Sequence, residues 1–123
     1  MAGVPDARKR IEEAVLTWPG VEAQPHRFGG TEYRLGGREV GHMHGDHLLD
    51  IAFPRRVRDE LVSAGLAQPH HLLPQSGWVS FYLREEEDVE RAVSLLARSY
   101  ELAREQQARK SGEVPSVETG AAS

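Results

Sequence analysis

The 123-residue sequence is long enough for one domain and carries 15 basic against 19 acidic residues, a net charge of −4. This balance argues against a general nucleic-acid binder, which normally presents a basic face. The lack of cysteine excludes disulfides, thiolate catalysis and thiolate-bound metals. No apolar run has the length of a membrane span and no leader-like segment opens the sequence. We therefore expect a cytoplasmic protein without nucleic-acid or membrane partners, and its oligomeric state stays open.

The first predicted element is a helix from Pro5 to about Thr17. Its apolar residues recur at the i, i+3, i+4, i+7 spacing of one helix face, namely Ile11, Ala14, Val15 and Trp18. Pro19-Gly20 ends this helix, because proline cannot donate the next backbone hydrogen bond.

Three strand-like segments follow, and they are Thr31–Leu35, Arg38–His44 and His47–Phe53. Gly36-Gly37 separates the first two segments and Gly45-Asp46 the last two, and both pairs are typical of two-residue hairpin turns. The sequence therefore predicts a three-stranded antiparallel meander.

The second half of the chain predicts a helix that begins at Pro54 and ends before Gly65, then a loop over Leu66–Ser76. Gly77–Leu83 is aromatic and β-branched and predicts a fourth strand. A long amphipathic helix follows from about Glu86 to Gln106, with acidic residues in its first turn.

The predicted order is α-β-β-β-α-β-α. This order indicates an α+β fold, in which an antiparallel sheet of the meander and the fourth strand packs against helices. We assign residues 1–106 to one domain and residues 107–123 to a disordered tail, because Ser111–Ser123 are small and polar without periodicity.

Two-residue turns would fix the register of the meander. Across the turns they pair His44 with His47, His42 with Leu49, Val40 with Ile51, Tyr33 with Val40, and Thr31 with His42. One face then carries the apolar set of Tyr33, Leu35, Val40, Leu49, Ile51 and Phe53, with His42, His44 and His47 at its end. The other face carries the polar set of Glu32, Arg34, Glu39 and Asp50. We therefore expect the three histidines at the rim of the helix-covered face, and a shift of one residue would move them to the opposite face.

Residues 42–47, HMHGDH, match the H-x-H-x-D-H spacing of binuclear zinc hydrolases. That motif belongs to much larger two-sheet proteins with further ligands on distant loops, whereas only His70 and His71 follow here. We therefore reject a binuclear site. Three interpretations stay open: one divalent ion on His42, His44 and His47, a metal-free functional pocket, and a structural cluster. We expect no cofactor, with the single divalent ion as the alternative.

The same stretch resembles the core of the fungal luciferases and of their small bacterial and archaeal relatives. Residues 38–47 are similar to the pattern R-E-[IV]-[AG]-H-M-H-x-x-H, and residues 65–70 to G-[WL]-[AG]-[QE]-x-H. Trp78, Phe81, the acidic run Glu85–Asp88 and the last helix continue the resemblance in order and spacing. It covers about residues 30–103 and identifies the chain as a member of the luciferase-domain family.

The resemblance implies an enzyme that oxidises a hydroxylated α-pyrone with dioxygen, releases carbon dioxide, and needs no metal or organic cofactor. Carried over by position, the candidate catalytic residues are His42, His44, His47 and His70. Glu39 and Trp78 become candidate substrate contacts, and Tyr33 joins them from the expected sheet face. The sequence lacks the membrane segment of the luminous enzymes and has Asp46 where they carry a tyrosine, so we expect no light.

Two functions stay open at this stage. The first is a small-molecule enzyme, oxygenase-like and free of cofactors, that works through the histidines. The second is a non-catalytic ligand-binding or interaction module, or a protein that binds one metal ion, with a structural histidine cluster. The enzyme requires His42 and His44 to share a face and to meet His70, whereas the module does not.

Overall fold

The computed structural model describes residues 3–26 and 29–110. Its elements are α1 Ala7–Val15, β1 Val21–Pro25, β2 Thr31–Leu35, β3 Arg38–His44, β4 Leu48–Ala52, α2 Arg55–Ser63, β5 Gln68–Pro69, β6 Trp78–Tyr82 and α3 Asp88–Lys110. The strands form one antiparallel sheet in the order β1-β2-β3-β4-β6-β5. The predicted α+β class is confirmed, with two more strands than the sequence predicted. In the described part of the chain, no helix combines the length and the apolar character that crossing a membrane requires.

The strands β2 and β3 have the predicted bounds, whereas β1 and the two-residue β5 were not predicted. β1 ends in Pro25, which a strand tolerates at the edge of a sheet because its missing N–H costs no ladder bond there. α3 extends through Lys110, so residues 107–110 are helical and the predicted domain boundary falls inside a helix. The rest of the predicted tail, residues 111–123, lies outside the described residues.

All three helices lie on one side of the sheet, which we call the helix side. α3 crosses β2, β3 and β4, and α1 packs against α3. The approach of α3 is close because Gly41 has no side chain: a Cβ there would lie 2.8 Å from Leu96 Cδ2. Leu61 of α2, Leu95 of α3 and Phe81 of β6 line one cleft, which places α2 on the same side. The buried core between sheet and helices includes Ile11, Val15, Tyr33, Met43, Leu49, Ile51, Val79 and Leu96.

The register of the meander differs from the prediction at two points. The turn between β3 and β4 has three residues rather than two, so His44 pairs with Leu48, and His42 with Asp50. A β-bulge at Val40 separates the pairs of β2 and β3: Arg34 pairs with Glu39 as predicted, whereas Tyr33 pairs with Gly41.

Each of these differences shifts the register by one residue. Together they exchange the two faces of β3 relative to β2 and β4. Between β2 and β4 the shifts cancel, so Tyr33, Leu49 and Ile51 still share the buried helix side, as predicted. His42 and His44 lie instead on the opposite side of the sheet. The expectation that the histidines lie at the rim of the helix-covered face is therefore wrong. We call this opposite side the histidine side.

Candidate functional site

The centre of the histidine side is Asp50, a buried residue of β4 whose side chain is only 1% exposed. Ser80 of β6 donates a hydrogen bond to its Oδ1 over 2.8 Å. Four imidazole Nε2 atoms surround its Oδ2, at 2.9 Å from His44, 3.0 Å from His71, 3.4 Å from His42 and 3.4 Å from His70. We call these four histidines and Asp50 the histidine–aspartate cluster.

A carboxylate oxygen has two lone pairs, so Asp50 Oδ2 cannot accept four good hydrogen bonds. Burial disfavours its charge, but hydrogen bonds from His42, His71 and Ser80 and the nearby His70 hold the pKa of Asp50 well below its usual range. The Asp50 carboxylate therefore stays negatively charged. More imidazoles surround its Oδ2 than this oxygen can accept hydrogen bonds from.

His42 is held from both ends of its ring. Its Nδ1 lies 2.5 Å from Glu39 Oε2, and its Nε2 faces Asp50. The bulge makes this contact possible, because without the extra residue Val40 a strand would point residues 39 and 42 to opposite faces. Burial alone would lower the pKa of His42, but hydrogen bonds to Asp50 and Glu39 and their charges outweigh it and raise the pKa to about 9.

His70 is fixed by the loop that follows β5. Its Nδ1 accepts the backbone N–H groups of Leu72, over 3.1 Å, and of Leu73, over 3.0 Å. A ring nitrogen that accepts cannot also carry the proton, so the neutral ring is protonated at Nε2 and presents an N–H to Asp50. Burial lowers the pKa of His70, which favours this neutral form.

His71 and His44 are the more accessible members of the cluster, with side chains 32% and 28% exposed. The backbone N–H of His71 donates to Ser80 Oγ over 3.2 Å, which anchors the loop next to Asp50. Burial, together with the neighbouring His42 and His71, lowers the pKa of His44 despite its bond to Asp50.

Aromatic rings close two sides of the cluster. His26 stacks on His42 with ring centroids 4.0 Å apart. Trp78, half-buried on β6, lies 5.5 Å from the His42 ring and 5.9 Å from the His70 ring. A planar ligand that reached the cluster would meet rings on either side of it.

The cluster lies within a segment that a known family shares. Residues 37–99, a little more than half of the chain, match the family model named Luciferase domain. The chain belongs to the luciferase-domain family. No curated protein and no solved structure matches the chain significantly. The match confirms the resemblance, and it includes every member of the histidine–aspartate cluster as well as Glu39 and Trp78.

The luciferase domain brings together five of the seven site residues predicted from the sequence: His42, His44, His70, Glu39 and Trp78. The other two lie elsewhere. His47 occupies the last position of the turn before β4, and among the described residues it belongs to no group of side chains that could share a metal ion. Tyr33 is buried on the helix side, where its hydroxyl has no hydrogen-bond partner within the described chain.

Asp46, the acidic residue of the H-x-H-x-D-H pattern, has a structural contact instead. Its Oδ1 accepts the backbone N–H of Arg8 over 2.9 Å, and its carbonyl accepts that of Val4 over 3.2 Å. It thus binds N–H groups at the start of α1, which agrees with the rejection of a binuclear site.

Sequence reasoning missed Asp50, His71 and His26. A signal for Asp50 was present, because this acid interrupts the apolar strand LLDIA, and acids are rarely buried in strands without partners. The predicted register moved it to the face opposite the histidines. His71 lies beside His70 in the predicted loop but was not among the predicted site residues, and His26 follows β1, which was not predicted.

Within residues 3–26 and 29–110, three groups of side chains could each share one metal ion: His26, Glu39 and His42; His42, His44 and Asp50; and Asp50, His70 and His71. A separate cleft of about 690 Å³ lies between α2 and α3 on the helix side. None of the cluster residues lines this cleft, so the chemistry-bearing groups and this cleft are on opposite sides of the sheet.

Proposed function

We propose that this luciferase domain is an enzyme that adds dioxygen to a small enolisable compound at the histidine–aspartate cluster. The observation that carries the proposal is the convergence of four imidazole Nε2 atoms within 3.4 Å of one oxygen of the buried Asp50. Buried groups with perturbed pKa values and a charged partner are typical of active sites. Family membership adds the reaction type, because the fungal luciferases oxygenate a hydroxylated pyrone.

His71 is our candidate for the base. When its Nε2–H donates to Asp50, its Nδ1 is left as a proton acceptor on a ring that is partly exposed. Asp50 itself is too buried to meet a substrate and acts by orienting the ring. Next to His71, the exposed side chains of Leu72 and Leu73 offer apolar contacts to the body of the substrate.

The proposed step balances with dioxygen as the only co-reactant. His71 takes the proton of the enol, and the enolate carbon then gives an electron pair to dioxygen, so that one C–O bond forms. Dioxygen is reduced to the peroxide level and the substrate carbon is oxidised. The proton returns from His71 to the outer peroxide oxygen, so the product is the hydroperoxide of the substrate. We expect no light, because Asp46 stands where the luminous enzymes carry a tyrosine.

Oxygen uptake tests this proposal. We would screen hydroxylated pyrones and related polyketide-like enols with an oxygen electrode, and follow light emission in parallel. For a compound that is turned over, His71→Ala should lower kcat by about 100-fold or more, which is the usual contribution of a positioned base. Gln68→Ala, an exposed change on the same segment, should leave the rate unchanged.

Two outcomes would contradict the enzyme. A screen without oxygen uptake, or uptake that His71→Ala does not slow, would remove the support for catalysis at this cluster. Saturable binding of a pyrone without any turnover would favour the alternative function, a non-catalytic ligand-binding module.

A further inference from the structure

We propose that His42, His44 and Asp50 bind one divalent transition-metal ion. The inference rests on the proposed function only for the role of the ion and not for its location. It replaces the set His42, His44 and His47, which the sequence offered as the single-ion alternative, because Asp50 and not His47 faces the two histidines.

The ligand atoms have the spacing that a shared ion requires. Asp50 Oδ2 lies 3.4 Å from His42 Nε2 and 2.9 Å from His44 Nε2, and all three atoms lie within 4.8 Å of one another. Two atoms that are each about 2.1 Å from an ion are about 3.0 Å apart at a right angle and about 3.4 Å apart at the tetrahedral angle. The distance of 3.4 Å equals the tetrahedral value, and the distance of 2.9 Å lies just below the right-angle value.

The orientation of His42 is that of a metal ligand. Its Nδ1 bonds to the Glu39 carboxylate and keeps its proton there, so Nε2 is the ring nitrogen that can give up its proton and bind an ion. A carboxylate behind the distal nitrogen is the usual partner of a metal-binding histidine, because it fixes the tautomer and makes the ligand more basic. Nε2 faces Asp50 Oδ2 over 3.4 Å, so an ion that takes the place of the Nε2 proton would contact both atoms.

The other two groups fit an ion less well. His70 Nδ1 accepts two backbone N–H groups, so its proton sits on Nε2, the atom that would have to bind the ion. In the group with His26 and Glu39, the short contact of Glu39 to His42 is a hydrogen bond to Nδ1. The partners of Nδ1 therefore favour His42 over His70 as a ligand. We choose the group His42, His44 and Asp50, and His70 and His71 remain hydrogen-bond donors to the carboxylate.

Charge also favours a cation at this position. Glu39 and Asp50 both turn a carboxylate towards His42. Within residues 3–26 and 29–110, neither carboxylate forms an ion pair with a lysine or arginine, since the nearby Arg34 pairs with Glu32. Two histidines and one carboxylate on one face of an ion leave positions open, as in non-haem iron oxygenases, where an enolate and dioxygen could bind side by side.

The first test uses untagged protein that has been stripped with a chelator and titrated with Zn²⁺ by calorimetry and with Co²⁺ by absorption. We expect one ion per chain and cobalt bands of a nitrogen–oxygen site. His44→Ala and Asp50→Asn should each weaken Zn²⁺ binding by at least 100-fold, whereas His47→Ala should change it by less than threefold. His44 is partly exposed, so its variant stays informative if the Asp50 variant does not fold.

Several results would overturn the assignment. If the parent protein binds Zn²⁺ no more tightly than the His44→Ala protein, the proposed site does not exist. A loss with His71→Ala as large as that with His44→Ala would place the ion on the other side of Asp50, and a loss with His47→Ala would restore the set from the sequence. These measurements need no substrate, so a metal site without oxygen uptake, or oxygen uptake by metal-free protein, separates this proposal from the proposed function.

Discussion

The two sides of one sheet differ in what their residues do, and the alternation of neighbours along β4 shows it most directly. Leu49 and Ile51 point to the helix side and are fully buried among apolar residues. Asp50, between them, is equally buried on the histidine side, where its contacts are imidazoles and a hydroxyl. Because the pleat separates the two sets of side chains, a substitution on the helix side should change mainly stability. A substitution on the histidine side should change mainly the chemistry of the cluster.

Two buried aspartates sharpen the contrast. Asp88 begins α3, and its Oδ2 accepts the backbone N–H groups of Arg84, over 2.8 Å, and Glu85, over 3.0 Å. Among the described residues, Asp50 accepts hydrogen bonds from side chains only. The Asp88 carboxylate provides an acceptor for backbone N–H groups that would otherwise lack one in the folded protein. The Asp50 carboxylate is surrounded by side chains that could bind a cation or move a proton.

Ile51→Ala should have the largest effect on stability. Removing this fully buried side chain leaves a cavity under α3, and we expect the free energy of unfolding to fall by about 2–5 kcal/mol. Urea denaturation measures the loss. The folded variant should still bind Zn²⁺ with nearly the parent affinity, since Ile51 points away from the cluster. A lost metal site in folded protein would show that the two sides are not independent.

Glu39→Gln should spare stability and weaken the site. Without the carboxylate behind Nδ1, His42 loses the partner that fixes its tautomer, and Zn²⁺ affinity should fall by about 10- to 100-fold. Calorimetry on the stripped protein measures this change. Glu32→Gln is the matched control, because Glu32 pairs with His42 across the sheet but bonds to Arg34. Equal losses in both variants would indicate a general charge effect rather than positioning of His42.

Asp88→Ala should lower the free energy of unfolding by about 1 kcal/mol or more at pH 7, because two backbone N–H groups before α3 lose a charged acceptor. Burial opposes its charge, but the hydrogen bonds of Arg84 and Glu85 and the Arg91 side chain hold the pKa of Asp88 below its usual value. The contribution is therefore complete above the unfolded-state pKa of about 4 and is lost as the pH falls through the lower folded-state pKa.

Denaturation of the parent and the Asp88→Ala protein at pH 7 and again in acid checks both the size and the sign. The difference between the two proteins should shrink as the pH falls. A difference that grew in acid would mean that Asp88 is held protonated in the folded state.

Tyr33→Phe should have the smallest effect and the opposite direction. The Tyr33 hydroxyl is buried on the helix side without a hydrogen-bond partner in the described residues, and burial raises the pKa of Tyr33. Removing an unsatisfied hydroxyl should raise the free energy of unfolding by up to about 1 kcal/mol. Thermal unfolding measures it. A destabilised phenylalanine variant would mean that the hydroxyl has a partner, such as a bound water.

The apolar side of the sheet could be predicted from sequence, because hydrophobic alternation in β2 and β4 defines it directly. The register of β3 against its neighbours could not be predicted. Gly45-Asp46 is compatible with turns of two and of three residues, and the bulge residue Val40 has no distinctive signature. A contact from a distant part of the chain accompanies the bulge: the buried Ser99 of α3 donates a hydrogen bond to the Val40 carbonyl over 2.8 Å.

The sequence therefore identified most residues of the candidate site, but it did not predict where they lie in the fold. Resemblance to a family supplied His42, His44 and His70, which the structure brings together. It could not supply Asp50, because which face an acid occupies depends on a single-residue register shift. Tyr33 lies on the helix side as predicted, but the same shift moved the histidines away from that face.

The bulge at Val40 and the three-residue turn after His44 also constrain how the chain can change in length. Losing one residue at either place alone would put the apolar residues of β2 and of β4 on opposite sides of the sheet. A change of one residue at both places would keep the apolar residues of β2 and β4 together, but it would return His42 and His44 to the helix side. In relatives that keep the histidine–aspartate cluster, neither position should therefore carry a one-residue gap.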